Sequence, residues 1–324
     1  MDQDGNQEDA FQISGQALWQ WRQWAQQVAI AASVPSSELD WFLLALTGLD
    51  RLTLRLGAGK AGGSRQFDQA KRASLVSLKR PLTELTALWQ QRVQQQVPVQ
   101  YLVGETPWRQ FQLTVSPAVL IPRPETEELI EVAIARVGHT DLALGHWADL
   151  GTGSGAIALG LAAAFPQATV HAVDISADAL AIAHHNAERY QMAGRIQFYQ
   201  GSWFNPLEPL QHQLSAVVSN PPYIPTATLA QLQPEVAHHE PHLALDGGSD
   251  GLNSLRHLVA TAPNYLKPGG LWLVELMQGQ AADVVALLRQ QNFCEPQVHR
   301  DLAGIERFVS AMCAPEAAFS GSLR

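Results

Sequence analysis

Apolar positions recur every three or four residues in the first hundred residues. Leu18, Trp19, Trp21, Trp24, Ala25 and Val28 fall on one face at that spacing and predict an amphipathic helix. Ser36 and Ser37 precede Glu38, Leu39 and Trp41, which predicts a serine-capped second helix through about Leu46. Further helical runs are predicted over 68–79 and 81–96, so residues 13–96 read as a small helical bundle. Residues 1–12 are polar and acidic and read as a disordered tail. The tryptophans of the first helix are assigned to the bundle's core rather than to a nucleic-acid stacking platform.

From Val97 the period changes. Residues 100–119 carry Tyr101, Val103, Trp108, Phe111, Leu113 and Val115 in alternation, which predicts a β-hairpin; residues 97–120 then form a linker. A helix over 127–137 follows. Strands are predicted at 147–150, 169–173, 196–199, 215–219, 271–276 and 307–312. Helices are predicted at 156–164, 177–190, 253–266 and 280–290. Such alternation predicts an α/β domain over 121–324 with a mainly parallel, Rossmann-like sheet and ligands at the carboxyl ends of its strands.

Composition narrows the chemistry. At 324 residues and 46% apolar content, two domains with real cores are expected. The net charge of −9 is uneven: residues 1–96 hold 10 basic and 9 acidic side chains, and residues 97–324 hold 11 and 21. An acidic catalytic part is a poor match for a polyanion, so no direct nucleic-acid partner is expected. Lys71-Arg72 and Lys79-Arg80 could meet an acidic protein partner or simply form a solvated face. Two cysteines, Cys294 and Cys313, make neither a disulfide framework nor a zinc site. His184-His185 and His238-His239 lack metal-binding spacing, so no metal is expected. Gly59-Lys60 is followed by Ala61 and lacks the earlier glycine of a phosphate-binding loop. No secretory start and no membrane span are visible, which points to the cytoplasm.

Three features carry chemistry. The first is Gly151-Thr152-Gly153-Ser154-Gly155, between an apolar strand and a helix. Glycines let the backbone approach a ligand closely, and the G-x-G-x-G spacing differs from the dinucleotide G-x-G-x-x-G. The second is Asp174, 23 residues after Gly151 at the next strand's end, where a carboxylate can accept from both hydroxyls of a ribose. The third is Asn220-Pro221-Pro222-Tyr223, directly after the strand 215–219. Two prolines remove two backbone donors and leave carbonyl oxygens exposed. The Asn220 oxygen and a proline carbonyl can bind both hydrogens of a planar –NH2, and Tyr223 can wall it in.

The glycine loop is similar to the S-adenosylmethionine loop of class I methyltransferases. Asn-Pro-Pro-Tyr at this place resembles the mark of amino-group methyltransferases. The chain further resembles the release-factor glutamine methyltransferases, the PrmC/HemK family. The resemblance rests on Tyr101-Leu-Val-Gly104, Val115-Ser-Pro117, Leu120-Ile-Pro-Arg123-Pro-Glu125-Thr126-Glu127, Gly201-Ser-Trp203-Phe204, Glu240-Pro241 with Ala244-Leu245, and Asp301-Leu-Ala-Gly304-Ile-Glu-Arg307. It is strong over about 97–312, and the N-terminal bundle fits in outline.

The resemblance implies a class I methyltransferase fold. It implies S-adenosylmethionine held by Gly151 to Gly155, Asp174, Trp203 against the adenine, and Asn220. The substrate it implies is the N5 amide of the glutamine in the Gly-Gly-Gln loop of peptide chain release factors 1 and 2. Asn220 to Tyr223 would hold that amide, and Arg123, Glu125 and Thr126 would contact the substrate. Residues 13–96 would serve in substrate recognition. One departure stands out: Met277 occupies the usual glycine of a Glu-x-Gly segment, in Glu275-Leu-Met277. Other readings are an adenine-N6 or guanine-N2 nucleic-acid methyltransferase, a glutamine methyltransferase of ribosomal protein uL3, and a non-catalytic protein on the same fold.

Overall fold

A computed structural model describes residues 11–57, 74–291 and 293–315. The chain divides into two compact units, 1–103 and 104–324. The first holds β1 (Phe11–Ser14), α1 (Gly15–Ala31), α2 (Ser36–Leu46), α3 (Arg51–Gly57), β2 (Leu75–Leu78), α4 (Leu82–Gln95) and α5 (Val99–Val103). The Ser14 side chain caps α1 by accepting from the Ala17 backbone N–H at 3.2 Å. The core forms where α1, α2 and α4 bring Trp21, Phe42 and Trp89 together, with the Phe42 and Trp89 rings 5.3 Å apart. Both indoles are satisfied: Trp89 Nε1 donates to the Ala25 carbonyl and Trp21 Nε1 to Thr86 Oγ1. The core assignment of the Trp-rich face thus matches the buried Trp21, while Trp19 lies under the Arg22 guanidinium.

Four expectations for this unit are corrected. Phe11 and Gln12, read as tail, pair in β1 with Leu78 and Ser77. Leu75 to Leu78, read as helix, is a strand whose alternate residues Val76 and Leu78 are buried. The α2 cap is Pro35, and no serine side chain bonds there. Tyr101 and Val103, read as hairpin strand, lie in α5, because Pro98 starts the turn and Val99, Leu102 and Val103 bury on one helical face. Residues 68–73 of the 68–79 run, which include Lys71-Arg72, and the glycine-rich stretch from Ala58 lie outside the described residues.

In the second unit, β3 (Glu105–Trp108) and β4 (Phe111–Thr114) form the expected hairpin. It precedes a 3-10 turn at Pro124–Glu127 and α6 (Glu128–Val137). Then come β5 (His146–Leu150), α7 (Ala156–Ala164), β6 (Thr169–Asp174), α8 (Ala177–Arg189), β7 (Ile196–Gln200) and β8 (Leu214–Ser219). These are followed by α9 (Pro234–His239), α10 (Asn253–Thr261), β9 (Leu266–Glu275), α11 (Ala281–Gln290), β10 (Phe293–Arg300) and β11 (Glu306–Cys313). The seven strands run in the order β10-β11-β9-β8-β5-β6-β7. β5 to β9 are parallel, and β11 is antiparallel to β9 and to β10. This is the class I methyltransferase arrangement, with the switch point between β5 and β8.

Alternation along the strands builds two cores. Trp147, Val170, Ala172, Val218 and Leu273 pack toward α6 and α7, and Leu150, Val173, Val217, Trp272 and Val274 pack toward α10 and α11. The larger departures from the sequence reading include two boundaries and one edge strand. The helix expected over 253–266 stops at Thr261, before Pro263. β9 begins at Leu266, five residues early. β10 was unforeseen because Pro296 and its exposed residues mark an edge strand, bulged between Cys294 and Gln297.

One buried amide ties three of these parts together. Asn186 on α8 is fully buried; its Oδ1 accepts from the Thr114 N–H at 2.8 Å, and its Nδ2 donates to the carbonyls of Thr114 and Ser154. The hairpin, α8 and the glycine loop therefore share one anchor. Asn186→Ala removes three hydrogen bonds to backbone groups of Thr114 and Ser154, and a loss of about 3 kcal/mol in urea unfolding is the expected outcome.

Candidate active site

The glycine loop leaves β5 in a backbone conformation that side chains disfavour: φ is +77° at Gly151, +54° at Gly153 and +81° at Gly155. At Gly155 a Cβ would also lie 3.1 Å from that of Ala183, whereas at Gly153 it would point into open space. Asp149 holds the loop from below. Its Oδ2 accepts from Thr152 Oγ1 at 2.6 Å and from the Ala158 N–H at 3.0 Å, while its buried Oδ1 has no partner. Burial pushes this carboxyl up to about 7, against the pull of the two donors. Ser154 is buried, and its carbonyl is held by Asn186.

Asp174 closes β6 beside the loop. Its Oδ2 accepts from the Gly153 N–H and its Oδ1 from the Ser176 N–H, both at 2.9 Å. A carboxylate offers about four lone-pair positions, so two remain for a ligand. Trp203, at φ +51°, brings its Cζ3 to 3.7 Å from the position a Cβ on Gly151 would take. The loop, Asp174 and Trp203 are therefore gathered at one strand end.

Asn220 to Tyr223 leave β8 next to β5, where Ser219 Oγ donates to the Leu150 carbonyl at 2.6 Å. The tetrapeptide is clamped by residues given no role in the sequence reading. Gln280 Nε2 donates to the carbonyls of Tyr223 at 3.0 Å and Gly251 at 3.3 Å, and its Oε1 accepts from the Met277 N–H. Ile224 exchanges backbone bonds with Leu245 and Gly247. Gly251, at φ +78°, has no room for a side chain: a Cβ would lie 2.3 Å from the Tyr223 oxygen. Met277 fits because the left-handed residue of its turn is Gly279, at φ +95°.

The segment before α6 lies against the same tetrapeptide. Thr126 is buried; its Oγ1 donates to Glu275 Oε2 at 2.7 Å and accepts from Asn220 Nδ2 at 3.3 Å. The Tyr223 hydroxyl donates to Glu275 Oε1 at 3.1 Å. Burial and the Glu275 charge both push that hydroxyl up, so it keeps its proton. Arg123 places one nitrogen 2.7 and 2.8 Å from the two oxygens of the buried Glu240. Burial still leaves the Glu240 carboxyl above its ordinary range. Glu125 is exposed. Arg123, Asn220 and Tyr223 join Leu120, Leu232 and Val236 around a cleft of about 260 Å³. Asp149, Glu240 and Glu275 were missed as site residues; for Asp149 and Glu275 the available signal was an acidic residue closing an apolar strand.

Two expected outcomes follow from this geometry. Gly251→Ala should displace the Tyr223 carbonyl, lowering turnover about tenfold or more in a methyl-acceptor assay and also the unfolding midpoint. Burial lets Asp149 hold its proton in the folded state up to about pH 7, against an ordinary 3.8, so its contribution to stability is full below about pH 4 and fades as pH rises through 7. The destabilisation caused by Asp149→Asn should therefore shrink between about pH 5 and about pH 8, by on the order of 2 kcal/mol in paired denaturation curves.

Comparison with known proteins places this architecture. A family model described as Methyltransferase small domain matches residues 136–295. The release factor glutamine methyltransferase of Synechocystis sp. is 53% identical over 306 residues, which covers 92% of this chain and 97% of that protein. The protein of the same name from Thermosynechococcus vestitus is 48% identical over 302 residues, 92% of this chain and 99% of its own. That from Deinococcus radiodurans is 40% identical, covering 86% and 92%. Among solved structures, the hMettl16 catalytic domain in complex with MAT2A 3'UTR hairpin 6 superposes with a TM-score of 0.52 at 14% identity, over 74% of this chain and 85% of that one, a likeness of fold alone. With identity near one half across almost the full length of both chains, this chain belongs to the family of release factor glutamine methyltransferases.

Proposed function

We propose that this protein transfers a methyl group from S-adenosylmethionine to the N5 amide of the glutamine in the Gly-Gly-Gln motif of peptide chain release factors 1 and 2. The observation that carries the reading is the meeting of Asn220-Pro-Pro-Tyr223 with the glycine loop at the adjoining ends of β8 and β5. The acidic surplus over residues 97–324 supports a protein substrate over nucleic acid. Residues 13–96 are assigned to release-factor recognition. The site of action is assigned to the cytoplasm; no helix among the described residues is long and apolar enough to cross a membrane.

The residues present fit the cofactor. Open space above Gly153 and the free lone pairs of Asp174 are what a ligand with an amino-acid tail and a ribose requires. Gly151 to Gly155 would hold the tail, Asp174 the ribose, and Trp203 would flank the base. When bound, the cofactor supplies an electrophilic methyl group on a sulfonium.

The chain's own part is positioning. Asn220 Oδ1 and a carbonyl of the Pro221-Pro222 pair accept the two hydrogens of the target –NH2, and Tyr223 lies against its plane. Held this way, the nitrogen presents its lone pair along one line, beside the apolar side chains of Leu120, Leu232 and Val236. Catalysis on this account needs orientation and a dry site more than a strong base.

The test offers labelled S-adenosylmethionine with a release factor, uL3 and DNA in parallel. Label is expected on the release factor alone; label on uL3 or DNA instead would reassign the substrate. In the same assay Asn220→Ala should lower transfer by about a hundredfold or more, with cofactor affinity by calorimetry nearly unchanged. Asp174→Ala should weaken cofactor affinity by about tenfold or more.

A further inference from the structure

Thr126 and Glu275 are out of the substrate's reach, at 4% and 1% exposure, yet both are bonded into the tetrapeptide. The protons of this cluster leave little choice of arrangement. In its ionised form Glu275 only accepts. Thr126 Oγ1, 2.7 Å from Glu275 Oε2, donates its single proton there, and the Tyr223 hydroxyl donates its own to Oε1 at 3.1 Å. Burial raises the Glu275 carboxyl above its ordinary range; the hydroxyls of Thr126 and Tyr223 on its two oxygens, and then the Arg307 charge, pull toward the ionised form. The Thr126 oxygen then has only lone pairs left, so the atom facing it at 3.3 Å must be a donor, Asn220 Nδ2. A carboxamide has one donor end and one acceptor end. Holding Nδ2 against Thr126 turns Oδ1 away from it.

We propose that Glu275, acting through Thr126, is a positioning residue that sets the polarity of the Asn220 amide, so that Oδ1 is the end presented to the target –NH2. The proposal rests on the reading of Asn220 as the residue that holds the target amide. A flipped Asn220 would set its own –NH2 against the target's, donor against donor, and the target nitrogen would lose the acceptor that orients its lone pair. Asn-Pro-Pro-Tyr alone does not decide between the two orientations. The decision comes from Glu275, at the end of another strand, and from Thr126, in the turn before α6.

Four variants test it, with release-factor methylation and cofactor calorimetry measured on each. Thr126→Val keeps the shape and removes the hydroxyl; kcat should fall about tenfold or more, with KM for the release factor and cofactor affinity within about twofold. Thr126→Ser keeps the hydroxyl and should hold kcat within about threefold. Glu275→Met should fall like Thr126→Val, since an unanchored Thr126 hydroxyl can turn and donate to Asn220 Oδ1; if this variant does not fold, the two Thr126 variants decide. In 15N NMR, the Asn220 side-chain amide protons should exchange about fivefold faster or more in Thr126→Val than in the parent. Asn220→Ala separates the two readings. If it is inactive while Thr126→Val keeps its kcat, or while the Val and Ser variants fall alike, the relay is wrong and the Asn220 assignment stands. If Asn220→Ala still methylates, the assignment fails and the relay with it.

Discussion

The parallel pairing of β5 with β8 is the constraint on which the site depends. Chain leaving β5 turns to one side of the sheet and chain leaving β8 to the other, so their carboxyl ends part and open a crevice. Leu150 and Ser219 are 69 residues apart in sequence but are joined by a 2.6 Å hydrogen bond at that point. The glycine loop and the Asn-Pro-Pro-Tyr tetrapeptide start from this shared base. Neither could place a cofactor's methyl group against an acceptor nitrogen without the other, because transfer demands near-contact and alignment.

Around the crevice three buried carboxylates fix what the strand ends carry. Asp149 holds the glycine loop through Thr152 and Ala158, Glu240 holds Arg123, and Glu275 holds Thr126 and Tyr223. Burial raises all three above the ordinary carboxylate range, so none is there as an easy gain in stability. Each instead accepts bonds from groups that would otherwise rotate. Preorganisation of this kind suits a reaction whose electrophile is already activated and whose remaining need is a fixed geometry.

The segment 224–251 completes the cleft by a different device, backbone packing. Gly247 and Gly251 approach Tyr223 so closely that a Cβ on either would clash, and Gln280 bonds both sides of the contact. Leu232, Val236, Ala244 and Leu245 line the cleft beside this closely packed backbone. Arg123 sits at its edge, paired to Glu240, which couples the turn before α6 to this segment.

The sequence by itself determined the β/α alternation, the presence of a hairpin within 100–119, and the strand-end positions of Gly151 to Gly155, Asp174 and Asn220 to Tyr223. Those signals are local: an apolar run, a glycine spacing, a pair of prolines. Where local signals misled, a distant partner had overruled them. Val76 and Leu78 became strand by pairing with Phe11 to Ser14, Tyr101 and Val103 became helix because that face buries, and β10 formed at an edge that tolerates Pro296. The tertiary structure alone decided that Thr126 is buried rather than exposed to substrate, that Arg123 is paired, and which end of the Asn220 amide faces Thr126. Orientation of an amide depends on what its neighbours can donate, and for Asn220 those neighbours lie 94 residues earlier, at Thr126, and at the end of another strand, at Glu275.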